Sequence, residues 1–272
     1  MTADTWPNGA KIAVAFNVAY EAWTPGKAPG ISPMGNPLPA GLLDTQALSW
    51  GGYGPRTGIW RLLRVLDRAQ VTATFMVSGI LAEHAPESVA AIARAGHEIC
   101  GHGWTQDALN VSLDRDAERD QIRRCLSALE SVSGVRPRGW ISPRCTPSEH
   151  TAELLAGEGL SWFGDVFDTD LPYRLPTASG DIVAIPLQME LNDLPLAMRF
   201  GRQPQEMVTA FDYLLDRAVA LDEHVLLDVT VHTHLGGRVG WAGAYAQMLE
   251  RAVARADLWV PTRGELADTA AV

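Results

Sequence analysis

Short apolar runs rich in β-branched and small residues alternate with amphipathic segments along almost the whole chain. No other feature restricts the fold as strongly. Lys11–Val18 (KIAVAFNV) is the first such run and reads as a buried strand. Val71–Ser78, His97–Gly101, Arg138–Ser142, Ser161–Val166, Asp181–Gln188, Val225–Val231 and Leu258–Pro261 read as further strands. Pro186 inside one of them suggests an edge or a bulge. Between the strands, Gly58–Ala69 places Ile59, Leu62, Leu63 and Leu66 on one helical face. Ser88–Arg94 follows Pro86, a residue suited to a first helical turn. Ser112 is positioned to cap a long helix that Gly134 ends. Thr151–Glu158, Pro204–Ala220, Tyr245–Ala254 and the segment from Gly264 onward complete the helices.

This order predicts an α/β chain with a mainly parallel sheet flanked by helices. Composition does not shift along the sequence and no repeat occurs, so residues 1–272 are expected to form a single domain. Seven or eight strands in this length suit a (β/α) barrel. A doubly wound open sheet is the alternative, but the first βα turn lacks the glycine fingerprint of a phosphate site.

Composition narrows the function classes. Net charge is −10 and no Lys/Arg cluster stands out, so nucleic acid and anionic membrane are not expected partners. No apolar run approaches the ~20 residues of a membrane span. The N-terminus has neither the basic nor the apolar part of a signal peptide, and a cytoplasmic location is expected. Cys100, Cys125 and Cys145 are odd in number and widely spaced, with no CxxC, so no disulfide framework is expected. The segment Thr24–Pro55 holds thirteen glycines and prolines in 32 residues. A loop this long is usually functional. It is expected to shape a pocket entrance or a subunit contact, with Trp23 or Trp50 excluding water. The loop and the nine tryptophans are compatible with a homo-oligomer.

Polar residues recur where the strands end. Glu21, His102, Arg144, Asp168 with Asp170, and His232 with His234 each fall just after a predicted strand. In a (β/α) barrel those positions share the C-terminal face, where active sites are built. The imidazoles of His102 and His232 can move protons near neutral pH. Arg144 offers a fork of donors to a carboxylate, an imide oxygen or an oxyanion. No GxSxG nucleophile motif is present. Cys145 is expected to be a packing residue, although Arg144 beside it could lower its pKa.

The order of Tyr20-Glu21, Gly101-His102-Gly103-Trp104, Gly139-Trp140-Ile141-Ser142-Pro143-Arg144, Asp165 through Tyr173, Glu190-Leu191-Asn192-Asp193, and His232 with Gly237-Arg238 resembles the polysaccharide deacetylase (NodB-homology) superfamily. The resemblance runs from about Lys11 to Thr269 and is greatest to the branch of metal-independent allantoinases. It implies a distorted barrel of about seven strands and hydrolysis of a C–N bond, as in an N-acetyl sugar or a cyclic ureide.

Metal-dependent members of the superfamily carry an Asp-Asp pair after strand one and His-x-x-x-His after strand three. Here those places read Ala19-Tyr20-Glu21 and His102-Gly103-Trp104-Thr105-Gln106. The allantoinases carry Asn-Tyr-Glu-Glu after strand one, where Ala19 and Ala22 stand at its first and last positions. A cofactor-free, metal-independent hydrolase of a small amide, imide or ureide is therefore expected. Glu21, His102, Asp170 and His232 are its expected catalytic residues. Arg144, Trp104, Trp23, Asp168, Asn192, His234 and Arg238 are expected to bind substrate. The alternatives are non-hydrolytic acid–base chemistry in the same pocket, or a non-catalytic binding protein on the same scaffold.

Overall fold

The computed structural model describes residues 5–30, 33, 38–39 and 41–270. Strand β1 (Ile12–Tyr20) is buried at all nine positions. Its sequence alternates in size. Ile12, Val14, Phe16, Val18 and Tyr20 pack outward among the helices, whereas Ala13, Ala15 and Ala19 join the cluster inside the curled sheet. Small inward residues on the central strand leave room within the sheet for side chains from elsewhere.

The remaining strands are β2 (Thr74–Val77), β3 (Glu98–Gly101), β4 (Gly139–Trp140), β5 (Trp162–Phe163), β6 (Tyr173–Thr177), β7 (Gly180–Ala184), β8 (Val225–His232) and β9 (Leu258–Trp259). Their order is β6-β7-β5-β4-β3-β2-β1-β8, with β9 pairing the start of β1. All pairs are parallel except β6 with β7, a hairpin that the apolar pattern does not announce. The result is the expected distorted barrel, with seven parallel strands along the main path, the short parallel β9 beside the start of β1, and β6 added antiparallel at one edge.

Ten helices cover the outside among the described residues: α1 (Thr45–Gly51), α2 (Ile59–Ala69), α3 (Leu81–His84), α4 (Pro86–Arg94), α5 (Arg115–Ser133), α6 (Thr151–Gly157), α7 (Asp193–Met198), α8 (Pro204–Leu221), α9 (Val239–Val253) and α10 (Arg263–Ala270). The expected Ser112 cap is corrected. Asp114 caps α5 through the amide of Ala117, and Ser112 lies in the preceding 3-10 turn. Gly134 ends α5 in the left-handed conformation, as its position suggested. Helix α9 starts six residues earlier than Tyr245, because packing on α2 and α8 tolerates Gly240 and Gly243 in its first turns.

The sheet does not close by strand pairing between β7 and β8. Side chains bridge the seam instead. The amide of Gln188 donates to the Leu226 carbonyl and accepts from Asp228 N, as a peptide group would. Arg263 at the start of α10 is fully buried and reaches both sides. It donates to the carbonyls of Ile185 and Pro186 just past β7, to Asp228 on β8 and to Asn17 on β1. Pro186 leaves the seam without an N–H at this point, and its carbonyl serves the guanidinium. Asp228 also accepts from Asn17 and Thr230.

A buried ion pair of this kind is costly to break from one side, because the surviving charge keeps its desolvation penalty. Arg263→Met should lower unfolding stability by about 3–5 kcal/mol. Adding Asp228→Asn should recover part of that loss in urea denaturation. Equal stability of Arg263→Met and wild type would refute this role.

Candidate active site

Strand ends bring the acid–base groups together. Register pairs Ala19 of β1 with His232 of β8, which sets Glu21 beside the last residue of β8. His102 follows β3 directly, and its backbone N–H bonds to Val77 of β2. Gly103 adopts φ +70° and lies so near the Pro143 ring that a Cβ would sit 2.3 Å from it. The glycine after His102 thus lets the 139–145 segment close over the imidazole. On the far side, Gly58 and Gly237 meet backbone to backbone, which holds the turn after His232 against α2.

Glu21 is the centre of the cluster. Its Oε1 lies 3.5 Å from His102 Nε2 and 3.9 Å from His232 Nε2, and its Oε2 lies 3.8 Å from His234 Nδ1. Outer hydrogen bonds fix the His102 and His232 rings. His102 Nδ1 is 2.8 Å from the Ile141 carbonyl, which can only accept, so Nδ1 carries a proton. His232 Nδ1 bonds Asp193 Oδ1 at 2.7 Å, and both oxygens of Asp193 accept from the His232 backbone N–H. Both rings therefore turn their Nε2 toward one carboxylate oxygen.

The electrostatics divide the roles. Burial pushes the Glu21 carboxyl up, but His232, His102 and His234 outweigh it and hold Glu21 at about 2. Burial pushes His232 down, yet Glu21 and Asp193 together raise it above the ordinary imidazole value. Burial pulls His234 down to about 4. Near neutral pH the cluster then contains a carboxylate, a neutral His234 and a His232 biased toward imidazolium.

A cavity of about 260 Å³ opens over these groups. Glu21, His102, Arg144, Asn192 and His232 line it, together with Thr230, Arg199 and an apolar wall from Met76, Ile141, Leu187, Met189, Leu194, Pro195 and Met198. Four of the five expected convergent residues are therefore in one pocket at the C-terminal ends of the strands.

The deciding observation is how completely this architecture overlays on known proteins. Residues 52–161 match the polysaccharide deacetylase family model. A crystal structure of a Mycobacterium smegmatis protein assigned to the polysaccharide deacetylases is 32% identical over 98% of this chain and 92% of its own, with a TM-score of 0.84. The chain belongs to the polysaccharide deacetylase family. A Schizosaccharomyces pombe protein assigned to the same family is 26% identical over 96% of this chain and 91% of its own length. The crystal structure of PuuE allantoinase is 26% identical, covering 97% of this chain and 91% of its own, with a TM-score of 0.86.

Against that family frame, several expected site residues lie elsewhere. Asp170 is exposed outside the cavity, and its carbonyl accepts from Leu226 N at the opposite end of β8. Asp168 is exposed and bonds Tyr173 Oη. The apolar run Ser161–Val166 yields only a two-residue strand, so the chain turns away before reaching either aspartate. Trp104 is half-buried on the outer side, under the Arg124 guanidinium at 3.6 Å. His234 lies behind Glu21 and meets the edges of Trp50 and Trp23 at centroid distances of 4.5 and 5.6 Å. Arg238 stacks 4.2 Å over Tyr53 and donates to the His234 carbonyl, so it supports the turn. Trp23 and Trp50 thus cover His234 rather than the cavity mouth. Residues 31–32, 34–37 and 40 of the Thr24–Pro55 loop lie outside the described residues.

Two buried carboxylates that hold the walls of the site escaped the sequence reading. Asp193 starts the short helix α7 and orients His232. Asp165, which burial raises to about 6, clamps the Ser142 N–H with both oxygens at 2.9 and 3.1 Å. Both belong to motifs already noted, but neither follows a strand directly. Cys145 is no nucleophile candidate, since burial pushes its thiol well up.

The family's metal-dependent members raise the question of a metal here. Ala19 lines the cavity without a donor. The Gln106 amide nitrogen is committed to the His102 carbonyl and Ser78 Oγ at 2.8 and 3.1 Å. Among the described residues no group of three or more His, Cys, Asp and Glu side chains is arranged to hold a metal ion. The donor set does not fit a resident metal.

Asp193→Asn keeps a hydrogen-bond acceptor for His232 but removes a charge that favours the imidazolium. The His232 pKa should fall, as removal of a neighbouring opposite charge requires. Imidazole NMR titration of wild type and variant measures this, and an unchanged pKa would show that Asp193 does not set the charge of His232.

Proposed function

We propose that this chain hydrolyses the C–N bond of a small amide, cyclic imide or ureide without a bound metal. The supporting observation is the Glu21–His102–His232–Asp193 cluster on the floor of a small cavity. At about 260 Å³ the cavity lies below the ~300–1,000 Å³ typical of drug-sized ligand sites. That volume suits a compact molecule better than a polymer.

The chemistry follows from the ring orientations. His102 keeps its Nδ1 proton on the Ile141 carbonyl, so in the neutral ring Nε2 is the nitrogen that carries the lone pair. A substrate water seated against His102 Nε2 and Glu21 Oε1 gives its proton to Nε2 as its oxygen attacks the carbonyl carbon. The imidazolium formed then faces the Glu21 carboxylate, which a pKa of about 2 keeps ionised throughout. Glu21 acts as the electrostatic partner of both histidines, because so weak a base takes few protons itself. His232 carries the proton that the leaving nitrogen needs, and Asp193 holds that ring in register. As the C–N bond breaks, the proton passes from His232 Nε2 to nitrogen. The Asn192 side-chain amide offers a donor to the substrate oxygen as its charge develops. The proton taken up by His102 then passes through solvent to His232, which restores the resting state and leaves the carboxylic acid and the amine as products.

Without metal activation the water is activated by general-base help alone, which favours electron-poor or strained amides. Incubation in 18O-labelled water should place one solvent oxygen in the acid product of hydantoin- or dihydropyrimidine-type substrates. His102→Gln and His232→Gln should each lower turnover by ~100- to 10,000-fold. Chelator should leave turnover unchanged. Label-free product would indicate elimination or isomerisation, and chelator-sensitive turnover would refute the metal-free route.

A further inference from the structure

The cavity is electrostatically lopsided. Its carboxylate, Glu21, is buried on the floor with one oxygen facing His102 and His232. Beyond the histidines beside Glu21, the charged side chains lining it are Arg144 and Arg199, both exposed cations. Neither guanidinium has an ion-pair partner among the described residues, although many other arginines of this acidic chain do. Arg115, Arg123, Arg136, Arg138, Arg202 and Arg251 each meet a carboxylate.

The backbone that carries Arg144 is held in an unfavourable shape. Arg144 and Cys145 both adopt left-handed conformations, with φ of 55° and 52°. Non-glycine residues are strained in that region and persist only where their surroundings enforce them. The enforcing contacts are the Asp165 clamp on Ser142 N and the bond from Cys145 N to the Ser142 carbonyl. Arg199 arrives differently, as the residue that ends α7 at the opposite wall. Helix α7 also begins with Asp193, so one element carries the partner of His232 and the second rim cation.

We propose that the substrate carries a carboxylate, which Arg144 and Arg199 hold at the cavity mouth while its amide or ureide bond lies on the histidines. The assignment rests on the hydrolase reading and adds a substrate class to it. The field orients such a molecule in one direction only. Its anionic end is repelled by Glu21 and attracted by the two arginines, and the apolar wall of Leu194, Pro195 and Met198 accommodates the carbon chain between. Arg199 is a specificity residue in this scheme and takes no part in proton transfer.

The test is isothermal titration with matched pairs: hydantoin-5-acetate, N-carbamoyl-β-alanine and N-acetyl-β-alanine, each against its uncharged carboxamide. At least one carboxylate should bind about tenfold or more tightly than its carboxamide, the scale of a charge-assisted contact. Arg144→Gln and Arg199→Gln should each abolish that preference, and the distal surface variant Arg64→Gln should retain it. Equal or tighter binding of the carboxamides, no carboxylate binding below about 10 mM, or a preference that survives both variants would overturn the assignment. Turnover of the same compounds separates it from the hydrolase reading. Carboxylates bound selectively but never hydrolysed would sink that reading alone, whereas uncharged amides hydrolysed without any carboxylate preference would sink this assignment alone.

Discussion

The open seam between β7 and β8 is the constraint on which the rest of the molecule depends. A closed barrel satisfies every edge by strand pairing. This one stops short, and the edge groups are met by Gln188 and by the buried Arg263. Arg263 can enter because β1 offers only alanines and Asn17 to the interior. Its guanidinium fixes the distance between the β7 edge and β8 from the inside. Glu98 extends the same layer, accepting from Thr74, Trp162 and Gly264 N, so strands β2, β3 and β5 are tied to the start of α10. A polar plug in place of the usual branched aliphatic layers is a costly choice thermodynamically. It leaves the upper half of the interior free of large side chains, and there the cavity opens over Ala19.

The seam also explains where the site gets its chemistry. Between β7 and β8 the chain must travel back to a parallel strand, and it crosses over the C-terminal face on the way. The bond from Thr230 N to the Leu191 carbonyl and the bridge between Asn192 and Thr230 pin that crossing to β8. The pinned segment immediately becomes α7, which supplies Asn192, Asp193 and Arg199 to one small volume. Asp193 needs close approach to the turn after β8: a Cβ on Gly236 would sit 2.7 Å from its Oδ2. The glycines after His232 are therefore part of how an aspartate reaches that ring.

Much of this was legible in the sequence, for physical reasons that differ by residue. The parallel strands were readable because each is buried on both faces and so forms an unbroken apolar run. Glu21, His102, Arg144 and His232 were readable because a barrel sends the residue after each strand to one face. The same rule misplaced Asp170. It assumes a strand running to the end of its apolar stretch, and β5 pairs over only Trp162 and Phe163. Asp193 and Arg199 could not be found that way, since they sit on a short crossover helix whose apolar residues face the cavity and give no helical stripe. Gln188 and Arg263 were invisible for another reason: a polar side chain standing in for strand pairing leaves no periodic signal. His234 followed the rule in position but not in exposure, because Trp23 and Trp50 close over it.

The same geometry limits how the two histidines can exchange tasks. Each ring has one nitrogen committed outward, His102 to a neutral carbonyl and His232 to a carboxylate. A carbonyl fixes a tautomer without favouring a charge, whereas a carboxylate favours the imidazolium as well. Glu21 faces both Nε2 atoms from 3.5 and 3.9 Å and cannot tell them apart by itself. The electrostatic asymmetry between the two rings therefore comes from the outer partners, Ile141 on β4's exit and Asp193 on α7. Two imidazoles around one carboxylate become a directed pair only because the seam delivers a second carboxylate to one of them.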